Sequence, residues 1–235
     1  MSKTYIKAVL FDLDGTLIDT ASDFVRIIGK MSADNGWQSP APENIREQVS
    51  AGATAMVRLM LAHNGIDRSD EEIADLRQAF LDTYEADICV DSSVFAGLDK
   101  ALQDIEAKGT PWGIVTNKPR YLAEQLLKKL NLSERCTVLV CPDDVRNTKP
   151  DPEPMYLAME KLGLPRGIAG SVIYVGDHKR DIDAGNRAGM ITILASYGYL
   201  PPEDKDDLAN WGADYIADTP DELVKLLKSK QFDYL

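Results

Sequence analysis

Apolar positions follow two rhythms along this chain, and the change between them divides it. Lys7-Ala8-Val9-Leu10-Phe11 is a short run of strand formers bounded by turn signals, which predicts a buried strand. The next stretch is helical in pattern. Phe24, Ile27, Ile28 and Met31 recur at helical spacing with polar residues between them. Val57, Met60 and Leu61 mark a second helix after Gly52, and Ile73, Leu76, Phe80 and Tyr84 a third. Ser69-Asp70-Glu71-Glu72 supplies the third with a cap and first-turn acids. Gly36, Pro40, Pro42 and Gly65 punctuate the stretch. An all-helical segment this long after one strand exceeds a simple crossover, so a separate small domain is expected over 18–92.

From about Val94 strands and helices alternate. The strands predicted are Trp112-Gly113-Ile114-Val115, Val138-Leu139-Val140-Cys141, Val172-Ile173-Tyr174-Val175 and Ile191-Thr192-Ile193-Leu194, with a weaker one at Tyr215-Ile216-Ala217. Amphipathic helices between them carry Leu98, Leu102 and Ile105; Leu122, Leu126, Leu127 and Leu130; and Met155, Met159 and Leu162. Fully apolar strands alternating with helices indicate an α/β fold whose parallel sheet is covered on both faces. Gly185 and Gly189 are expected to bracket a short helix packed close to the sheet. Ser229 to Leu235 has no clear pattern and is expected to be mobile.

Composition narrows the partners. A chain of 235 residues buries a substantial core, and its net charge of -12 argues against nucleic acid or an anionic membrane surface. The start Met1-Ser2-Lys3-Thr4-Tyr5 is too short and polar for a signal peptide, and no apolar run approaches a membrane span. Cys89, Cys136 and Cys141 are odd in number and lack metal-type spacing, so reduced thiols and a cytoplasmic location are expected.

The chemistry starts at Phe11-Asp12-Leu13-Asp14-Gly15-Thr16, where the first apolar run stops at two carboxylates and a glycine. Asp12 falls at the strand's C-terminal end, the edge where open α/β sheets bind ligands. Side chains two apart share a face of a strand, so Asp12 and Asp14 can sit close enough to repel. A cation between them, or a nucleophile paired with a general acid, resolves that; an ordinary Asp-Gly turn is the plain alternative. Downstream, Ile114-Val115-Thr116-Asn117 ends an apolar run in a hydroxyl, and Lys149-Pro150-Asp151-Pro152 offers an ammonium in a proline-stiffened loop. Val172-Ile173-Tyr174-Val175-Gly176-Asp177 ends another run in Gly-Asp, with Asp181 four residues on.

Paired carboxylates, hydroxyl, lysine and a second carboxylate pair, in that order, resemble the haloacid dehalogenase superfamily and specifically its phosphatases. The resemblance spans nearly the whole chain. It implies a doubly wound, mostly parallel Rossmann-like core over 1–17 and 93–235, with 18–92 forming a helical cap. It implies a Mg²⁺-dependent phosphomonoesterase in which Asp12 is the nucleophile and Asp14 the general acid and base. Thr116 and Asn117 would bind phosphoryl oxygens, and Lys149 would offset charge on nucleophile and phosphate. That cation is needed, since two unit charges at ~4 Å repel by roughly 4 kcal/mol at an effective dielectric of 20. Mg²⁺ prefers hard oxygens, and its implied ligands are Asp12, the backbone carbonyl of Asp14, and Asp177, with Asp181 behind them. The family's dehalogenases lack the Asp14-type residue.

Within the family the chain is most similar to the phosphoglycolate phosphatase group. Cys141-Pro142-Asp143-Asp144-Val145, Asp151-Pro152-Glu153-Pro154, Tyr197-Gly198-Tyr199 and Trp211-Gly212-Ala213-Asp214 look most like N-acetylmuramic acid 6-phosphate phosphatases of bacterial cell-wall recycling. That amino sugar is the favoured substrate, with 2-phosphoglycolate the alternative. A sugar phosphomutase shares motifs and cap but returns the phosphoryl group; a phospho-receiver needs neither cap nor Asp14. His63 and His178 lie too far apart for a local metal pair, and His178 reads as a loop residue. The aromatic clusters read as packing. Arg26, Arg46 and Arg58 read as solvent-facing cations, one of which could meet a substrate anion.

Overall fold

The computed structural model describes residues 4–200 and 207–234. The polar start at Met1-Ser2-Lys3 and the final Leu235 lie outside the described residues. Strands β1 (Thr4–Ile6), β2 (Ala8–Phe11) and β3 (Ile18–Asp19) lead into helices α1 (Ala21–Asp34), α2 (Pro42–Gln48), α3 (Ala53–His63) and α4 (Asp70–Ala86). The chain then runs β4 (Ser93–Val94), α5 (Leu98–Glu106), β5 (Trp112–Val115), α6 (Arg120–Lys129), β6 (Val138–Val140) and α7 (Glu153–Lys161). It finishes with β7 (Val172–Gly176), α8 (Lys179–Ala188), β8 (Ile191–Ala195), β9 (Tyr215–Ala217), α9 (Pro220–Leu227) and β10 (Phe232–Tyr234).

The main sheet has the order β6-β5-β2-β7-β8-β9, and every pairing in it is parallel. Every residue of β2 is buried, because both faces of the sheet are covered. The period of two sorts its side chains: Val9 and Phe11 join the core that continues into α1–α4, whereas Ala8 and Leu10 join Met155, Met159 and Tyr174 on the opposite face. The fold is a mostly parallel, doubly wound α/β sheet. Its first strand is central, so the crevice at the carboxyl ends opens beside β2.

The helical segment leaves and rejoins this sheet through β3 and β4, which pair antiparallel, Ile18 opposite Val94. Asp23 fixes the return. Its buried carboxylate accepts from the amides of Val90, Asp91 and Ser92, from the Ser92 hydroxyl and from Arg26. Burial alone would raise its pKa, but those donors hold the carboxyl below its ordinary value. Phe24 of α1 packs on Phe80 and Tyr84 of α4, with ring centroids 5.7 and 4.7 Å apart.

Three local readings change. The tail from Ser229 is ordered through β10, which pairs in parallel with β1, Thr4 opposite Phe232. Gly185 lies inside α8 rather than before it, and a Cβ there would come 2.6 Å from Thr192 Cγ2; the helix needs that glycine to approach β8. Helices α2 and α9 add to those predicted. α2 has Pro42 at its start and one buried residue, Ile45, too little for a periodic signal.

Candidate active site

Three adjacent strands end in polar residues at the same edge. Asp12 follows Phe11 of β2, Thr116 follows Val115 of β5, and Asp177 follows Gly176 of β7. Asp181 joins them from the first turn of α8, where its Oδ2 accepts from the His178 amide across the helix start (3.0 Å). Asp12, Asp177 and Asp181 are all buried and offer oxygens within 4.8 Å of one another.

Lys149 holds this cluster together. Its ammonium lies 2.6 Å from Asp181 Oδ1 and 2.9 Å from Asp12 Oδ1, and it donates to the Val115 carbonyl at 2.9 Å. Tyr174 completes the web, its hydroxyl 3.0 Å from Lys149 Nζ and 3.1 Å from Asp181 Oδ1. Burial dominates for Asp12 and raises its pKa despite Lys149, whereas Asp181 is lowered, since Lys149 and Arg180 outweigh its burial.

Asp177 has no lysine partner among the described residues. Burial, followed by the charges of Asp12 and Asp181, pushes its carboxyl up to about 8. Oδ2 accepts from the Ser50 hydroxyl at 2.5 Å and from the Tyr199 amide at 2.9 Å. Oδ1 is buried with no hydrogen-bond partner among the described residues. Three clustered carboxylates with one spare buried oxygen are a donor set that fits a hard divalent cation. Backbone closes around it: a Cβ on Gly15, at φ +80°, would lie 2.2 Å from Asp177 Oδ2, and one on Gly198 2.5 Å from the same atom.

Asp14 is not part of that cluster. Its carboxylate turns to Thr20 Oγ1 (2.8 Å) and to Lys118 Nζ, at 3.0 and 3.2 Å from its two oxygens. Lys118 sits over the rings of Tyr84 and Phe24, 4.4 and 4.9 Å from their centroids. Thr116 Oγ1 accepts from the Lys118 amide, and Asn117 donates to the Lys149 carbonyl. Asn117 Oδ1 is buried without a partner among the described residues.

A cavity of about 250 Å³ opens over these residues. The sheet side contributes Asp12, Asp14, Thr116, Asn117, Lys118 and Arg180; the helical side contributes Ser50, Arg77, Phe80 and Tyr84. Asp177, Asp181 and Lys149 lie behind this lining. Lys118, Arg180, Arg77 and Ser50 were not singled out from sequence. Lys118 follows Thr116-Asn117 and Arg180 falls between Asp177 and Asp181, so adjacency to the motifs was their available signal. Arg77 had only its helical phase with Phe80 and Tyr84.

The arginines that were singled out face elsewhere. Arg26 pairs with Asp23, Asp87 and Asp91, Arg46 with Asp19, and Arg58 with Asp70. His178 is the N-cap of α8, its Nδ1 accepting from the Arg180 amide; burial, then Arg180, holds it neutral with a pKa of about 4. Tyr199 bonds Asp19 and the amides of Thr20 and Ala21, and Tyr197 the Thr16 carbonyl. Trp211 packs with Ile182, Leu194 and Leu200.

Residues 9–195 match the family of haloacid dehalogenase-like hydrolases. The chain is 44% identical to an N-acetylmuramic acid 6-phosphate phosphatase from Pseudomonas aeruginosa, over 97% of each chain. It is 38% identical to a phosphoglycolate phosphatase from Xanthomonas campestris pv. campestris, over 92% of this chain and 94% of that one. Its fold is similar to a crystal structure of a predicted phosphoglycolate phosphatase from Haemophilus somnus, with a TM-score of 0.81 at 23% identity, covering 95% of this chain and 98% of that one.

Proposed function

Because the chain belongs to the haloacid dehalogenase-like hydrolases and is a phosphatase, we propose that it cleaves N-acetylmuramic acid 6-phosphate through an aspartyl phosphate on Asp12, with Mg²⁺ as cofactor. Peptidoglycan recycling in the cytoplasm is the corresponding setting, in keeping with free Cys89, Cys136 and Cys141. Among the described residues no helix is long and apolar enough to cross a membrane. In this reading 18–92 is a cap over a core of 1–17 and 93–235.

An Asp12 oxygen attacks phosphorus as the ester P–O bond breaks. Asp14 gives its proton to the leaving alkoxide and then takes one from the water that attacks the aspartyl phosphate, which frees inorganic phosphate and restores Asp12. To do this Asp14 must exchange Thr20 or Lys118 for substrate. Thr116 and Asn117 bind phosphoryl oxygens, the latter through its backbone N–H or by turning its side-chain NH₂ from the Lys149 carbonyl to the phosphate. Lys149, fixed between Asp12 and Asp181, offsets charge on the nucleophile. Asp12, Asp177 and the Asp14 carbonyl, with Asp181 behind them, would hold Mg²⁺, which when bound neutralises carboxylate and phosphoryl charge.

The cavity is the observation that carries the sugar substrate. Beyond the motif residues it extends along Phe80 and Tyr84, a wall suited to a sugar and larger than a two-carbon acid needs. The Pseudomonas relative's substrate points the same way. Phosphate release from a panel of monoesters tests it. N-acetylmuramic acid 6-phosphate should exceed 2-phosphoglycolate in kcat/KM by at least about tenfold, or roughly 1.4 kcal/mol of transition-state binding. The reverse ranking removes the sugar and leaves the phosphatase. A bisphosphate requirement would mark a mutase instead.

A further inference from the structure

Among the described residues three cations line the cavity, and two are already engaged. Lys118 is paired with Asp14. Arg180 bonds the Ser50 carbonyl and lies in the field of Asp12 and Asp181. Arg77 has no ion pair and no hydrogen bond among the described residues. It is half-buried, on the face of α4 that carries Phe80, Leu81 and Tyr84 three, four and seven positions on. A guanidinium held beside an apolar wall, without a carboxylate, is set to receive one from a ligand.

Its position sets the shape of that ligand. Tyr84 marks the reacting end, since its ring lies under the Lys118 ammonium that holds Asp14. Seven residues of helix at 1.5 Å rise place the Arg77 backbone ~10 Å along α4 from Tyr84. Helical side chains lean toward the N-terminus, which carries the guanidinium no closer. 2-Phosphoglycolate has one methylene between ester oxygen and carboxyl group, and its carboxylate stays at the Tyr84 end. N-acetylmuramic acid 6-phosphate carries phosphate on C6 and a lactyl carboxylate across the ring on C3.

We infer that Arg77 is a specificity-determining residue that binds the substrate's distal carboxylate while the phosphoryl group occupies the Asp12 end. The inference rests on the sugar reading above and deepens it. The class of substrate is a phosphomonoester with a carboxylate separated from the phosphate by a sugar ring.

The test compares N-acetylmuramic acid 6-phosphate with N-acetylglucosamine 6-phosphate, the same sugar without the lactyl group, in wild-type and Arg77→Gln enzyme. The variant should raise KM for the muramic substrate about tenfold, the order of one lost charged contact, with kcat and the glucosamine KM unaltered. Arg77→Lys, which keeps the charge and loses the fork, should recover part of that binding. An unchanged muramic KM, or an equal rise for both sugars, overturns the assignment of Arg77. A wild-type preference for the muramic sugar that survives Arg77→Gln does so while leaving the sugar reading intact. Wild-type enzyme that treats both sugars alike overturns both.

Discussion

Lys149 Nζ and Asp181 Oδ1 lie 2.6 Å apart with neither side chain exposed, and the same ammonium is 2.9 Å from Asp12. One buried cation thus separates two buried carboxylates. Lys149→Met should leave them facing each other, costing about 3–5 kcal/mol of stability in metal-free protein, and should abolish turnover. Urea denaturation measures the first effect and phosphate release the second. A variant as stable as wild type would mean that the two carboxyls are neutral in the folded protein.

The two N-terminal aspartates should separate chemically. Asp12→Asn removes the nucleophile, so hydrolysis and phosphoenzyme should both disappear. Asp14→Asn keeps the nucleophile and loses the acid and base, so turnover should fall about 10²–10⁴-fold. With a good leaving group that variant should accumulate aspartyl phosphate. Mass spectrometry locates the phosphoryl group, and finding it on another residue refutes the assignment.

Chelation should stop phosphate release and Mg²⁺ restore it; the same metal should change how stability depends on pH. With Asp177 raised to about 8, the folded metal-free protein keeps a proton that the unfolded chain has lost, so stability falls as pH rises to 8. Asp12 is raised as well and acts in the same direction. His178, depressed to about 4 from 6.5, acts oppositely but only below 6.5, so the window from 6.5 to 8 isolates the carboxylates. The slope per group is at most about 1.4 kcal/mol per pH unit. Melting curves with chelator should show it, and Mg²⁺ should flatten it by binding the ionised form. Flat chelated curves would contradict the prediction.

Gly15→Ala should damage the site without touching a reacting atom. The left-handed backbone alone costs about 1–2 kcal/mol for an L-residue. The added methyl would also overlap Asp177 Oδ2, and the carboxylate must move. A lower melting temperature and a weaker stabilisation by Mg²⁺ are expected, both read by thermal shift. An unaltered Mg²⁺ response would show that Asp177 has room to adjust.

What was legible in the sequence is what local composition decides. Phe11-Asp12, Val115-Thr116 and Gly176-Asp177 each combine an apolar strand with a polar stop, and that combination locates a strand end wherever the strand finally sits. The helical segment was legible for the same reason, through the spacing of Phe24, Phe80 and Tyr84. Residues whose placement depends on distant chain were not. Lys118 gains its surroundings from Asp14 and two rings of α1 and α4, and Ser50 from Asp177 across the site. Arg26, Arg46 and Arg58 stand out in sequence where Arg77 does not, and the folded positions of Asp23, Asp19 and Asp70 engage those three. β10 is three residues long and has its partner at the other end of the chain, so no window of sequence contains the pair.

The central position of β2 has a consequence for how the molecule is made. It leaves the ribosome before both of its neighbours, strands that begin at Trp112 and Val172. Until both emerge, an entirely apolar strand bearing Asp12 has both edges open, a hazard for pairing with other chains. The intervening α1–α4 segment makes its own contacts from local sequence and can collapse early, shielding neighbouring apolar surface while the sheet waits. The strand that carries Asp12 is therefore made before either neighbour and completed only after both, and substitutions that loosen α1–α4 should show first as poor yield on synthesis.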